Sequence, residues 1–236
     1  MERMDRAVIL AAGMGTRLKW MTDHRPKALV RVAGEPAIAH VIRQLVADGM
    51  REIAVNAFHH ADQLADYLGN GEKFGCHICI SYEDALLDSG GGVKKALSLL
   101  PGTGPVAVYN CDVLADIDVS RLAQMTPAGG CSIALVDNPK HHRQGDFILH
   151  GNDVSMNGYD RFTFAGVSVW DGAVFEQYEQ GEAFSLARSI REAIARNECK
   201  GLAHHGYWFD IGRPCDLMKA NRLLARGQGI ANAYLD

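Results

Sequence analysis

The sequence has no excess of basic charge: 24 lysines and arginines stand against 28 acidic residues, for a net charge of −4. Proteins that bind nucleic acid through a broad surface usually carry a basic excess, so no nucleic-acid partner is expected. A small anion held by a few well-placed cations remains compatible with this balance. Long apolar runs are missing as well. Stretches such as residues 7 to 12 (AVILAA) fall far short of the roughly 20 residues that a membrane-spanning helix needs, so no membrane partner is expected either. No charged-then-apolar leader with a small-residue cleavage site opens the chain, which points to the cytoplasm. The six cysteines (Cys76, Cys79, Cys111, Cys131, Cys199, Cys215) are scattered along apolar segments and do not read as a disulfide framework. Cys76 and Cys79 make half of a zinc site with no second pair, whereas structural zinc takes four ligands. What is present is an ordinary soluble composition, 236 residues with 47% apolar and 22% charged, enough for one α/β domain over residues 1–236.

Strand-like apolar runs alternate with helix-length segments. Strands are expected over residues 7–12, 52–57, 76–81, 105–111 and 131–136, with helices over 37–49, 61–68 and 91–100 between them. This βαβα rhythm predicts a Rossmann-like, mainly parallel mixed sheet with helices on both faces. Residues 137–160 are rich in Gly, Asn, His and Asp and read as short strands and loops. A strand over 163–170, a helix over 184–196, a short strand over 207–211 and a closing helix over 214–226 follow.

In an open parallel sheet ligands bind at the carboxyl ends of the strands. The first strand runs into Leu10-Ala11-Ala12-Gly13-Met14-Gly15-Thr16-Arg17-Leu18, a turn of small residues that lets backbone N–H groups approach an anion. A dinucleotide fingerprint would need glycine where Leu18 stands, and a Walker A loop would need a following GK[ST]; neither is present. Cations do follow, at Arg17 and at Lys27 after Pro26.

The run LAAGMGTRLKWMTDHRPKALVRVAGEPAI, residues 10–38, closely resembles the signature of the sugar-1-phosphate nucleotidyltransferases, or sugar-nucleotide pyrophosphorylases. The resemblance implies that Leu10, Ala11, Ala12, Gly13, Gly15 and Thr16 bind the nucleotide, and that Arg17 and Lys27 are the catalytic cations at the triphosphate. Trp20, Ala28 and Arg31 replace prolines of the pattern, which shape the loop. Asn110-Cys111-Asp112-Val113 resembles the family's strand end N-G-D. Trp208-Phe209-Asp210-Ile211-Gly212-Arg213-Pro214 resembles its W-x-D-I-G-T-P segment. By resemblance, Asp112 and Asp210 hold the catalytic Mg²⁺, in keeping with a cation that takes one or two carboxylates and completes its shell with phosphate and water oxygens.

Leu87-Asp88-Ser89-Gly90-Gly91-Gly92-Val93 reads as a flexible helix cap on its own, with Ser89 capping. It also matches the family's L-x-T-G-G-G-I loop, which implies that Ser89 and Gly90, with Glu83 before them, hold the nucleoside. The segment from Asp137 to Phe147 (DNPKHHRQGDF) closely resembles that of the N-acetylmuramate-1-phosphate uridylyltransferases of cell-wall recycling. With Phe164-Ala165-Gly166 it implies that Gly145, Asp146 and Gly166, together with Asn110, border the sugar. Arg143 and His141 are left as candidates for the sugar phosphate. The adjacent histidine pairs at 59–60, 141–142 and 204–205 point apart on regular elements and read as surface residues.

The expected substrates are therefore a nucleoside triphosphate, UTP first, and a sugar-1-phosphate, N-acetylmuramate 1-phosphate first. Mannose-1-phosphate guanylyltransferases share the plan and form the alternative. A non-catalytic sugar-nucleotide-binding subunit would be marked by loss of the arginine, the lysine or an aspartate, and all are present. The sequence carries no signature of an oligomeric state.

Overall fold

The computed structural model describes residues 4–225. The chain runs β1 (Arg6–Leu10), β2 (Arg31–Val32), β3 (Glu35–Pro36), α1 (Ala37–Ala47), β4 (Glu52–Ala57), α2 (Ala61–Leu68), β5 (His77–Tyr82), α3 (Asp88–Leu97) and β6 (Pro105–Asn110). It continues through β7 (Val113–Ala115), α4 (Val119–Met125), β8 (Cys131–Val136), β9 (Phe147–His150), β10 (Asp153–Ser155), β11 (Arg161–Asp171), α5 (Leu186–Ala195), β12 (Cys199–Ala203), β13 (Trp208–Asp210) and α6 (Pro214–Ala225).

Nine strands form one sheet in the order β5-β4-β1-β6-β11-β8-β12-β10-β9. The ladders among β5, β4, β1 and β6 and between β8 and β12 are parallel; β11 runs against both β6 and β8, and β10 against β12 and β9. The mixed, mainly parallel α/β sheet is thus the expected one. The period of two along β1 explains why it is covered on both sides. Ala7 and Ile9 pack with α1, α2 and α6 through Val41, Ile42, Leu45, Leu64, Leu68 and Leu217. Val8 points the other way, into a second core with Val93 and Ala96 of α3 and Ile190 and Ala193 of α5. Each such Leu, Ile or Val contributes about 1.5–3 kcal/mol by leaving water. Among the described residues no helix is long and apolar enough to cross a membrane.

Six elements differ from the sequence reading. Helix α4 and strands β2, β3, β7 and β12 were not expected, and α3 begins at Asp88, so that all three consecutive glycines lie inside it. Glycine disfavours helix interiors by about 1 kcal/mol, and a close-packing requirement overrides that preference here. A Cβ on Gly90 would sit 2.3 Å from the Phe184 ring, one on Gly91 2.3 Å from the Glu182 carbonyl, and one on Gly92 2.5 Å from Asn56 Nδ2.

Candidate active site

From β1 the chain moves outward to β4 and β5, then returns to the other side of β1 as β6. The strand order therefore reverses between β1 and β6, where a crevice opens at the carboxyl ends. Four neighbouring strand ends deliver polar residues to it: the glycine turn after β1, Asn56 on β4, Glu83 after β5, and Asn110 with Asp112 at the end of β6.

The turn after β1 is built for close backbone approach. Gly15 has φ +66°, and a Cβ there would lie 2.8 Å from Thr22 Cγ2 and 3.0 Å from Lys27 Cβ. The Thr22 hydroxyl donates to the Gly15 carbonyl at 3.0 Å and fixes the bend. Gly13 and Thr16 are exposed, and a Cβ on Gly13 would meet nothing within 4 Å. Among the described residues the N–H groups of Gly13, Met14 and Gly15 find no protein acceptor, so they are available to an anion. A 3₁₀ segment, Thr16–Thr22, then carries the exposed Arg17.

Two distant carboxylates converge beside this turn. Strands β7 and β13 pair antiparallel with Asp210 opposite Val113, and Ile211 N–H donates to the Asp112 carbonyl at 2.9 Å. The ribbon brings the Asp112 and Asp210 carboxyl groups close enough for each to act on the other's charge. Burial and the neighbouring Asp112 charge push the Asp210 carboxyl up to about 6. Lys27 closes the cluster through a buried ion pair with Asp112, itself only 9% exposed. Burial opposes the Lys27 charge, but Asp112 outweighs it and holds the ammonium above its ordinary range. Arg17 reaches the same point: a Cβ on Gly212 would lie 3.0 Å from both Arg17 Nη2 and Asp210 Oδ1, so glycine leaves that space to the guanidinium. Cys111 takes no part as a nucleophile, because burial pushes its thiol up.

The donor set fits Mg²⁺. Two adjacent, partly desolvated carboxylates call for a cation or a proton between them, and hard oxygens suit that ion. Among the described residues no cluster of three or more His, Cys, Asp or Glu side chains could hold a metal, so an ion at Asp112 and Asp210 would draw its other oxygens from phosphate and water.

Beside the turn lies a cavity of about 440 Å³, lined by Leu10, Ala12, Gly13, Met14, Asn56, Glu83, Leu86, Asp88, Ser89 and Asn110. Ser89 faces it, but does not cap α3: its hydroxyl oxygen accepts from Leu186 N–H at 2.8 Å and so ties α5 to the first turn of α3. Gly90 is buried and packs against the segment before α5. Its N–H donates to the Phe184 carbonyl at 2.8 Å, and its Cα lies against the Phe184 ring. Glu83 is 7% exposed, with both carboxylate oxygens taken by the protein, from Asn56 Nδ2 at 2.7 Å and Leu87 N–H at 3.1 Å; it acts on the pocket wall rather than by a free carboxylate.

On the other side of the crevice, Gly166 sits in a bulge of β11 at φ +78°, where a Cβ would be 2.6 Å from Asn110 Nδ2. Its absence keeps the Asn110 amide at the cavity. Gly145 and Asp146 shape the loop between β8 and β9. Gly145 has φ +61°, and a Cβ there would lie 2.7 Å from Arg161 Cβ and from Asn138 Oδ1. Asp146 accepts from Phe164 N–H through one oxygen and is paired with His142 Nε2 through the other, each at 2.9 Å. His141, on the same loop, is held below the usual histidine range by burial and by the charges of Arg213 and Arg17. Sequence reasoning missed Asn56 and Gly212; a polar residue at the carboxyl end of an otherwise apolar parallel strand was the available signal for the first.

Comparison with known proteins places the chain among nucleotidyltransferases. The N-acetylmuramate alpha-1-phosphate uridylyltransferase of Neisseria meningitidis serogroup B is 38% identical over 226 residues, covering 92% of this chain and 97% of its own. The protein of the same description from Caulobacter vibrioides is 32% identical over 240 residues, covering 93% and 96%. The fold is shared with HddC from Yersinia pseudotuberculosis, solved in complex with GMP-PN, at a TM-score of 0.77 and 22% identity over 94% of this chain and 100% of that one. The glycine turn, the lysine behind it and the paired aspartates all lie within or just beyond residues 7–208, which match the MobA-like NTP transferase domain, and the chain belongs to that family of nucleotidyltransferases.

Proposed function

We propose that the chain condenses UTP with N-acetylmuramate 1-phosphate to give the UDP-sugar and pyrophosphate. The observation that carries this reading is the convergence of Asp112 and Asp210 beside Lys27, Arg17 and the anion-accepting turn. An oxygen of the sugar phosphate attacks the α-phosphorus in line; a P–O bond forms there as the α–β bridging bond breaks, and its electron pair leaves on pyrophosphate. The attacking oxygen is already ionised near neutral pH, so no general base is needed, and catalysis comes from positioning and charge neutralisation. Mg²⁺, held by Asp112 and Asp210, would neutralise phosphate charge on both substrates. Lys27 trades its carboxylate partner for the α-phosphate, while Arg17 and the N–H groups of Gly13 and Gly15 hold the leaving pyrophosphate. Leu10, Ala11, Ala12 and Ser89 line the nucleoside side, and Asn110 with Gly166 the sugar side.

The test is pyrophosphate release on mixing a panel of sugar-1-phosphates with UTP, GTP, CTP, ATP and dTTP, with and without Mg²⁺. UTP with N-acetylmuramate 1-phosphate should give the highest kcat/KM, and EDTA should abolish it. A preference for GTP with mannose 1-phosphate would replace the substrate pair and keep the chemistry. No release with any pair would overturn the reaction itself.

A further inference from the structure

Asn56 is the polar residue at the carboxyl end of β4, 2% exposed, on a strand whose other inward side chains are apolar. Its Oδ1 accepts from the N–H groups of Ala11 and Ala12, at 2.6 and 3.2 Å, at the start of the phosphate turn. Its Nδ2 donates to Glu83 Oε1 at 2.7 Å, and Glu83 Oε2 accepts from Leu87 N–H at 3.1 Å, which closes the loop over residues 83–87 before α3, the base-side loop of the reading above. Two buried side chains thus join the two loops through four hydrogen bonds, with no cation among them. Space for the chain of bonds depends on Gly92, whose Cα faces it: a Cβ would lie 2.5 Å from Asn56 Nδ2 and 2.9 Å from Glu83 Oε1.

We infer that Asn56 and Glu83 are positioning residues that fix the span between the phosphate turn and the base-side loop, so that a nucleoside triphosphate meets both ends of its site already aligned. This rests on the reading above, in which those two loops hold one nucleotide. A strut of this kind lowers the ordering cost of binding the nucleotide and leaves the sugar side unaffected, because the loops around Asn110 and residues 137–146 hang from β6, β8 and β11. Its polarity is also reversible, which supplies the test.

Asn56→Asp keeps the acceptor for Ala11 and Ala12 but sets a carboxylate against Glu83. Adding Glu83→Gln rebuilds all four bonds: the new carboxylate accepts from the new amide at position 83, whose carbonyl oxygen takes the Leu87 N–H. Asn56→Asp alone should raise KM for UTP about tenfold or more, since a broken buried bond leaves polar groups unpaired, with KM for the sugar-1-phosphate and kcat within about threefold of wild type. Glu83→Gln alone, which keeps the Asn56 bond and loses that from Leu87, should give a smaller rise and serves if the first variant does not fold. The double variant should return KM for UTP to within about threefold. An unchanged KM for UTP in both single variants would overturn the inference. So would an equal rise for both substrates, or a double variant that recovers its Tm but not its affinity for UTP. A wild type that makes no sugar nucleotide would overturn the reaction proposed above, whereas an active wild type indifferent to these substitutions would overturn the strut alone.

Discussion

The floor of the crevice and its sugar-side rim are built by opposite rules. On the floor, two carboxyl groups of like charge are neighbours, and among the described residues the N–H groups of Gly13, Met14 and Gly15 have no acceptor. On the rim, the half-buried polar side chains answer one another: Asn138 Nδ2 donates to the Arg161 carbonyl at 2.7 Å, the Thr163 hydroxyl donates to Asn138 Oδ1 at 2.8 Å, and Asp146 is held at both oxygens. The floor gathers Asp112, Asp210, Lys27 and Arg17 beside N–H groups left open to an anion; the rim uses Asn138, Thr163 and Asp146 to hold a shape. Substitutions on the floor should therefore remove chemistry at little structural cost, and substitutions on the rim should do the reverse.

The largest effect should come from Asp210→Asn, which keeps the shape and removes one carboxylate. Turnover should fall by roughly 10²–10³-fold or more, while Tm holds or rises because a neutral amide no longer repels Asp112. Asp112→Asn should lose as much activity but also lower Tm, by about 5 °C, because it leaves the buried Lys27 ammonium without its direct partner. Thermal melts beside initial rates check both, and equal Tm shifts in the two variants would break the contrast. Arg17→Ala comes next: the side chain is exposed, so Tm should not move, while kcat falls by roughly 10²-fold with the loss of a cation at the leaving group.

The rim gives the complementary result. Gly145→Ala forces a Cβ onto a backbone at φ +61° and against Arg161, which should cost about 1–3 kcal/mol of stability in urea titrations. Its kinetic effect should be a several-fold rise in KM for the sugar-1-phosphate, with kcat and KM for UTP nearly unchanged. A large loss of kcat would show that the rim takes part in the chemical step.

The same division governed what could be read in the sequence. Floor residues announce themselves, because an anion site needs a small-residue turn with nearby cations and a metal needs carboxylates; Gly13, Gly15, Arg17, Lys27, Asp112 and Asp210 all lie in short, distinctive runs. The parallel strands β1, β4, β5 and β6 were legible from unbroken apolar stretches bounded by helix-length segments. That Asp112 and Asp210 meet was not legible from spacing, since it depends on the β7–β13 ribbon; family resemblance supplied it. The packing of Gly90, Gly145 and Asp146 against Phe184, Arg161 and the Phe164 N–H was not legible, because local pattern does not reveal tertiary neighbours. Asn56 was read only as part of a strand, for the same reason. Strand β12, Cys-Lys-Gly-Leu-Ala, was missed because its glycine makes room for Leu149 and Val154, a contact that overrides weak strand propensity.

A residue outside both regions sets the scale of an ordinary polar contact. On α5, Glu192 accepts from the Tyr178 hydroxyl at 2.5 Å and from Arg188 Nε at 2.9 Å. The Tyr178 hydrogen bond, with Arg188 beyond it, holds its carboxyl below the usual range despite partial burial. A folded-state pKa below the unfolded one means that the carboxylate's contribution is complete above the ordinary glutamate value of about 4.3 and is lost as pH falls through the lower folded value. Glu192→Gln should therefore lower Tm by only about 2 °C at pH 7, with the difference from wild type vanishing in the acid range and with kinetics unchanged. A larger effect at neutral pH, or any change in KM, would mean that α5 is coupled to the crevice through its bond from Leu186 to Ser89, and the boundary between chemistry and scaffold would have to be drawn farther out.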